Sequence, residues 1–337
     1  MNKKKKLTFS LIICTYQRAD SLKRLLDSVS SQNLYPDEII IVDGSENLAT
    51  ENMVSKLSFE GLEYFRVDED NRGLTRQRNY GIKKSGHTDI ICFLDDDIVL
   101  ETNYFENLIS TYYKFPDAMA VGGWIKDETE WKKISAEYKP AFDKYAFDNF
   151  TRKLGHRNVL RKKLGLLSHE PPGFMPEFSH GFSTGFLPPS GKTYEVEYFM
   201  GGVSSYRRKL FDKIKFSKYF EGYGLYEDMD FCLRASRLGK MYVNTRARVE
   251  HLHEESGRPD FYKYGKMVVR NGYYVWKIKN PNPNLRCILK WNAITFLLIL
   301  VRIGNIYNTN EKNVALKDAI GRTMGWLSLI FNKPGKI

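Results

Sequence analysis

Cysteine is scarce in this chain: Cys14, Cys92, Cys232 and Cys287 are the only four in 337 residues, and no two form a Cys-x-x-Cys pair. That argues against a zinc site and for a reducing compartment. Three of the four lie in apolar segments, where a free thiol behaves as a small hydrophobe. Long apolar runs are missing too. The longest, residues 293–301, has nine residues against the ~20 needed to span a bilayer, so no spanning helix is expected. Lys3 to Lys6 precede a strand-like stretch at 7–14 with no small-residue cleavage site, so no secretory signal is expected either. Acidic residues are outnumbered, 40 against 52 Lys and Arg, for a net charge of +12. The excess favours anionic partners: phosphorylated ligands, an acidic membrane surface or nucleic acid.

What is present is a foldable chain. Hydrophobic residues make up 42% and aromatics 14%, enough for most of the chain to fold. The length suits one large core or two lobes sharing an interface, not a string of domains. From residue 7 to about 123 strand and helix patterns alternate. Residues 7–14, 39–42, 62–67, 90–94 and 118–122 read as strands. Leu22, Leu25, Leu26 and Val29 form a helical stripe that Asp20 or Ser21 can cap, and Phe105, Leu108, Ile109 and Tyr112 form another. Alternation of this kind predicts βαβ units and a mostly parallel sheet, with polar loops gathered at one edge.

Chemistry-bearing residues fall at those edges. Ile90-Ile91-Cys92-Phe93-Leu94 reads as a buried central strand, and Asp95-Asp96-Asp97 follow at once. Three adjacent carboxylates repel one another, and a divalent cation would neutralise them; alone, the triplet reads equally as a solvated turn or a helix cap. Asp43 ends the second strand. Asn71-Arg72-Gly73-Leu74-Thr75-Arg76-Gln77-Arg78-Asn79 offers a turn glycine that lets backbone approach a ligand and arginines that can fork onto phosphate, or simply a basic helix start. Residues 125–195, rich in aromatics, lysine and then Pro and Gly, read as an insertion or lid. Beyond them, 199–208 reads as a strand whose Gly201 and Gly202 clear a path for a neighbour. A helix from Glu227 through Leu238, burying Phe231, Ala235 and Leu238, presents Glu227, Asp228 and Asp230 at its positive end, as plain caps or as proton acceptors. His251 and His253 alternate onto one face of a following strand, as metal ligands or as structural side chains.

Taken together, Cys14-Thr15-Tyr16-Gln17-Arg18, Ile41-Val42-Asp43-Gly44-Ser45, Asn71-Arg72-Gly73 with Arg78-Asn79, Phe93-Leu94-Asp95-Asp96-Asp97, Gly201-Gly202 with Arg207-Arg208, and Tyr226-Glu227-Asp228-Met229-Asp230 resemble the inverting glycosyltransferases of family 2. The family usually has Asn where Gln17 stands. The resemblance covers about residues 7–123 and 195–257 and implies an α/β GT-A fold, Rossmann-like with a mostly parallel sheet. Residues 1–257 would form the transferase domain: a nucleotide-binding half at about 7–123, the insertion at 125–195, and an acceptor half at 195–257. Residues 258–337 would form a helical extension. The resemblance assigns Thr15, Arg18 and Asp43 to the nucleotide base and ribose, and Arg78 and Asp96 to the donor. Asp95 and Asp97 would hold Mg²⁺ or Mn²⁺ on the diphosphate with His251, preferred to His253 because it lies nearer the strand. Gly201 and Gly202 would border donor sugar and acceptor, and Asp228 would be the general base. The implied donor is a nucleoside diphosphate sugar, UDP before dTDP, and the implied acceptor a glycan or lipid-linked glycan.

Rival readings differ in class. A nucleotide-sugar-binding protein without transferase activity would share the fold, but the acids and Asp228 are intact. A nucleic-acid binder would place basic groups, not acids, at the strand ends, so no nucleic-acid partner is expected. A nucleotidyltransferase would want a glycine-rich loop where Thr15-Tyr16-Gln17-Arg18 stands. At the C-terminus, 261–277, 285–303 and 311–331 read as helices. Trp276, Trp291 and Trp326 among basic residues suit a helix lying on a membrane, or equally a packed helical subdomain. The expected location is cytoplasmic, at the inner face of the plasma membrane.

Overall fold

The computed structural model describes residues 5–126, 128–252 and 260–335. The chain divides into two compact units, Met1–Glu128 with Pro189–Gly257, and Thr129–Pro188 with Arg258–Ile337.

The first unit begins with β1 (Phe9–Thr15), α1 (Ala19–Ser30), β2 (Glu38–Asp43), α2 (Ala49–Val54), β3 (Leu62–Arg66), α3 (Leu74–Lys84) and β4 (Ile90–Asp95). It continues through β5 (Ile98–Leu100), α4 (Tyr104–Lys114) and β6 (Ala120–Ile125). β4 is an unbroken apolar run from Ile90 to Leu94, and β1 is one from Leu11 to Cys14, because a central strand is covered on both faces; Ile12, Ile13, Ile90 and Ile91 are fully buried. β3, β2, β1 and β4 are parallel neighbours, with Cys14 opposite Asp95 and Thr15 opposite Asp43. That register brings three chemistry-bearing strand ends side by side. The expected stripe of α1 is buried, with Leu22, Leu25, Leu26 and Val29 in the core. Its cap differs: the helix opens at Ala19 with Arg18 in the capping position and no side-chain cap bond. Gln17, in a left-handed turn at φ 55°, is held instead by its N–H to Ser45 Oγ at 2.7 Å.

The second unit supplies β7 (Lys132–Lys133), β8 (Lys144–Phe147), β9 (Phe150–Lys153) and α5 (His156–Lys163). The three strands form a small antiparallel sheet in the order β7-β9-β8.

The chain then completes the first unit with β10 (Thr193–Val196), β11 (Val203–Arg207), α6 (Glu227–Ala235) and β12 (Met241–His251). β11 runs antiparallel between β4 and β6, and β12 lies parallel to β6. Gly201 and Gly202 do not lie inside a strand, as the sequence suggests, but in the turn that feeds β11. α6 ends at Ala235, three residues early, so Leu238 falls in a turn and is 39% exposed rather than buried. Gly239 follows that turn, packed so closely that a Cβ there would lie 2.4 Å from Met119 Cγ.

Three long helices close the second unit: α7 (Phe261–Lys279), α8 (Leu285–Asn308) and α9 (Lys312–Phe331). Trp276 and Trp291 are buried and stacked at 5.5 Å in its core, with Val269, Cys287 and Leu329 around them. They are therefore core residues, which removes them as membrane-facing anchors. α7 and α9 pack through glycines; a Cβ on Gly321 would lie 2.1 Å from the Tyr262 carbonyl oxygen. α8, over its 24 residues, is long and apolar enough to cross a membrane by length and composition, with 22% of its most apolar window buried. Uninterrupted runs alone do not record this length: residues such as Asn292 and Arg302 bound the run without making the helix polar on average.

Candidate active site

The site is built at the carboxyl ends of β2, β1 and β4, where the first unit's parallel strands stop in register. Asp43, closing β2, is fully buried; its carboxylate accepts from Ser45 N at 2.8 Å and from Tyr64 OH at 2.7 Å. As placed, it shapes the Gly44-Ser45 loop. Thr15 Oγ1 donates to Asp96 Oδ2 at 2.7 Å. Gln77 ties the ends of β1 and β2 together, donating from Nε2 to Thr15 O and Val42 O.

Each acid of the triplet is met by a protein cation. Arg18 lies 3.0 Å from Asp96 and 3.5 Å from Asp97, Arg78 lies 3.5 Å from Asp95, and His251 Nε2 lies 3.3 Å from Asp97 Oδ1. Carboxylates this close cannot stay ionised together without positive charge between them. Burial pushes Asp96 up to about 6 against the pull of Arg18 and Thr15. Burial also raises Asp95 against the pull of Arg78, although 45% of its side chain still reaches solvent: protein surrounds it on several sides but leaves one open. Hydrogen bonds to Asp97 and Glu128 push His251 up to about 10, which favours the imidazolium beside Asp97.

For a divalent ion the donor chemistry fits, two carboxylates and an imidazole being hard oxygen and borderline nitrogen ligands. Asp97 and His251 already touch. Among the described residues, no three such side chains are grouped at metal-holding distances. The triplet has spread onto Arg18, Arg78 and His251 instead. His253, the other candidate ligand, lies outside the described residues.

On the opposite side, α6 delivers its first turn. Tyr226 takes the left-handed conformation at φ 69°, strained for a residue with a side chain, and so aims Glu227 and Asp228 inward. Asp228 Oδ2 accepts from Gly201 N at 3.1 Å and Oδ1 from Met229 N at 2.7 Å. Burial raises its pKa against those two bonds, which brings it nearer the pH at which a carboxylate accepts a proton well. Asp230 turns away onto Arg234. Gly202 abuts the triplet: a Cβ there would lie 2.1 Å from Asp95 Oδ2. Gly201, one residue earlier, would bring a Cβ within 3.0 Å of Asp228 Cβ. Asp228 and Asp95 thus each pack against one of two adjacent glycines.

The sequence offers Glu227 only as a cap or a proton acceptor; its pairing with Arg78, and the aromatic frame around that guanidinium, appear only in the structure. Arg78, 2% exposed, has Phe93 and Phe216 rings 5.4 and 5.2 Å from its guanidinium and pairs with Glu227. Burial, with Asp228 and Asp95 nearby, pushes Glu227 up to about 8 against the pull of Arg78. The signal was an acid beside Asp228 in a short helix start, which reads first as a cap. The other arginines of the 71–79 stretch sit on carboxylates, Arg72 on Glu46 and Arg76 on Glu221. Gly73, at φ 109°, brings its backbone close to that of Gly222.

The family pattern described as glycosyl transferase family 2 matches residues 10–215, more than half of the chain. A glucosyl-dolichyl phosphate glucuronosyltransferase of Haloferax volcanii is 31% identical over 134 residues, 39% of this chain and 42% of that protein. The O-antigen chain rhamnosyltransferase RfbN of Salmonella typhimurium is 23% identical over 77% of this chain and 70% of its own length. Two solved structures share the fold. The mannosyltransferase PcManGT of Pyrobaculum calidifontis, in complex with GDP-Man and Mn²⁺, has a TM-score of 0.54 at 12% identity, covering 98% of this chain and 88% of that one. GalNAc-T7 with UDP, GalNAc and Mn²⁺ has a TM-score of 0.52 at 17% identity, covering 79% and 48%. With these neighbours the α/β architecture is a GT-A fold, and the chain belongs to glycosyl transferase family 2.

Proposed function

We propose that this chain is a metal-dependent, inverting glycosyltransferase that moves a sugar from a nucleoside diphosphate sugar to a hydroxyl of a glycan or lipid-linked glycan. UDP-sugar is the favoured donor and dTDP-sugar the next. The product would belong to a bacterial surface polysaccharide, and the enzyme would work in the cytoplasm at the inner face of the plasma membrane. The relatives' printed activities, on an O-antigen chain and on glucosyl-dolichyl phosphate, support the acceptor class. UDP and Mn²⁺ in one structural neighbour, and GDP-Man and Mn²⁺ in the other, support a nucleotide donor with a divalent ion.

One observation carries the reading: adjacent glycines meet the two carboxylates, Gly201 against Asp228 and Gly202 against Asp95. A direct displacement needs a proton acceptor on one side of the sugar and charge stabilisation at the leaving group on the other. Asp95 and Asp97, with His251, would hold Mg²⁺ or Mn²⁺, which when bound supplies Lewis-acid stabilisation to the departing diphosphate. Thr15 and Arg18, now engaged with Asp96, would turn toward the nucleotide. Asp228 would take the acceptor's hydroxyl proton on Oδ1 or Oδ2 while backbone N–H groups hold the carboxylate in place. With no covalent intermediate, the anomeric configuration inverts.

The test is release of nucleoside diphosphate from a panel of UDP- and dTDP-sugars with Mn²⁺ and a glycan acceptor, together with the anomeric configuration of the product by NMR. Transfer with inversion is expected. Donor binding without any release or transfer, across the panel, would favour the nucleotide-sugar-binding protein.

A further inference from the structure

α9 has two apolar faces, and one of them is covered. Ala319, Gly321, Gly325 and Leu329 are buried, the glycines against α7. Leu316, Ile320, Met324, Leu327 and Phe331, spaced four, four, three and four apart, are 42–90% exposed. That spacing draws one continuous stripe along about four turns. α8 carries its own: Leu285, Leu289, Phe296, Leu300, Ile303 and Tyr307 are 41–84% exposed. The stripes meet where the Phe296 ring lies 5.8 Å from Trp326, whose Nε1 donates to Asn292 on α8. Scattered exposed leucines need no explanation, but periodic stripes on two packed helices mark an interaction surface.

Charge identifies the partner. Residues 258–337 hold 14 Lys and Arg against 3 Asp and Glu, so they supply +11 of the chain's +12. Of the three acids, Asp318 is buried on Arg302 and Arg322, and Asp260 is paired with Lys317. Lys263, Lys266, Arg286, Lys312 and Lys333 are exposed. An apolar stripe flanked by cations is complementary to a lipid surface with anionic headgroups. A second copy would bring the same positive charge onto the same face, which opposes self-association.

We infer that α8 and α9 dock on an anionic bilayer surface, lying in its interfacial plane. This deepens the membrane-face part of the proposed function and rests on it, while the transfer chemistry lies wholly in the other unit.

The test is co-flotation of the full chain with phosphatidylcholine vesicles, with and without about one-third phosphatidylglycerol, at about 0.05 M and about 0.5 M NaCl. Binding is expected to the anionic vesicles and to fall roughly tenfold or more at high salt. The combined variant Leu316→Gln, Ile320→Gln, Met324→Gln, Leu327→Gln should lose it by at least a similar factor. Its far-ultraviolet circular dichroism and nucleotide titration should stay those of the parent. Should that variant misfold, Arg286→Glu with Lys312→Glu and Lys333→Glu, all at exposed positions, should weaken flotation by roughly tenfold. Three results would overturn the inference: no flotation with anionic vesicles at low salt; a dimer in light scattering that the apolar variant dissolves; or bound chain that resists alkaline carbonate extraction, which would put α8 across the bilayer. A chain that floats but binds no nucleotide keeps this inference and removes the transfer reading.

Discussion

Asp228 is held by two backbone N–H groups, one on each carboxylate oxygen, and its pKa is raised by burial. Asp228→Asn keeps the size and shape but only one of the two contacts, because its amide nitrogen donates where a carboxylate oxygen accepted. It should lower kcat by about 10²–10⁴-fold with nucleotide affinity unchanged, a split that steady-state kinetics beside a nucleotide titration would reveal. Gly202→Ala tests the other side. Its methyl would meet Asp95 Oδ2 at 2.1 Å, so Asp95 must shift. Transfer should drop by about 10²-fold, with Mn²⁺-dependent nucleotide binding weakened in the same variant; unchanged binding would mean that Asp95 is not a donor-side ligand. At this scale the acids were legible because they break apolar strands. Their partners were not. Tyr64 reaches Asp43 from the neighbouring strand, 21 residues away, and Glu227 reaches Arg78 across 149. Neither pairing follows until the strands are in register.

Elements are stabilised by packing that sequence patterns record unevenly. α1 was legible because its stripe repeats for three turns over one core. α6 was overextended because Leu238 continues the stripe after the helix has already ended at Ala235. The grouping of residues 129–188 with the C-terminal helices was not legible, since it rests on contacts such as Trp276 Nε1 to Glu177 O at 2.7 Å, 99 residues apart. In that unit the α7–α9 contact is so close that Gly321→Leu should destabilise by about 1–3 kcal/mol or more, read as a lowered midpoint in thermal unfolding followed by circular dichroism. His180 gives a second handle. Burial, helped by Arg161 on α5, lowers it from 6.5 to about 4. The unfolded chain therefore binds a proton that the folded chain refuses, so the stability His180 contributes is whole above about pH 6.5 and is lost as pH falls toward 4. His180→Gln should flatten the unfolding midpoint across that window; an unchanged slope would contradict the assignment.

Across the whole molecule, charge is divided unequally. Thr129–Pro188 and Arg258–Ile337 together hold 24 Lys and Arg and 9 Asp and Glu, leaving 28 and 31 in the unit that carries the candidate site. That unit is net negative, and its strand-end arginines already sit on carboxylates. A diphosphate would meet repulsion there unless a divalent ion came with it. The account therefore stands or falls on metal-dependent nucleotide binding. The most direct measurement is calorimetric titration of the chain with UDP, dTDP and GDP, each with Mn²⁺ and again with EDTA. One nucleotide should bind with Mn²⁺ and lose that binding in EDTA. Binding that survives EDTA would contradict the role given to Asp95 and Asp97, and no binding of any nucleotide would contradict the donor site itself.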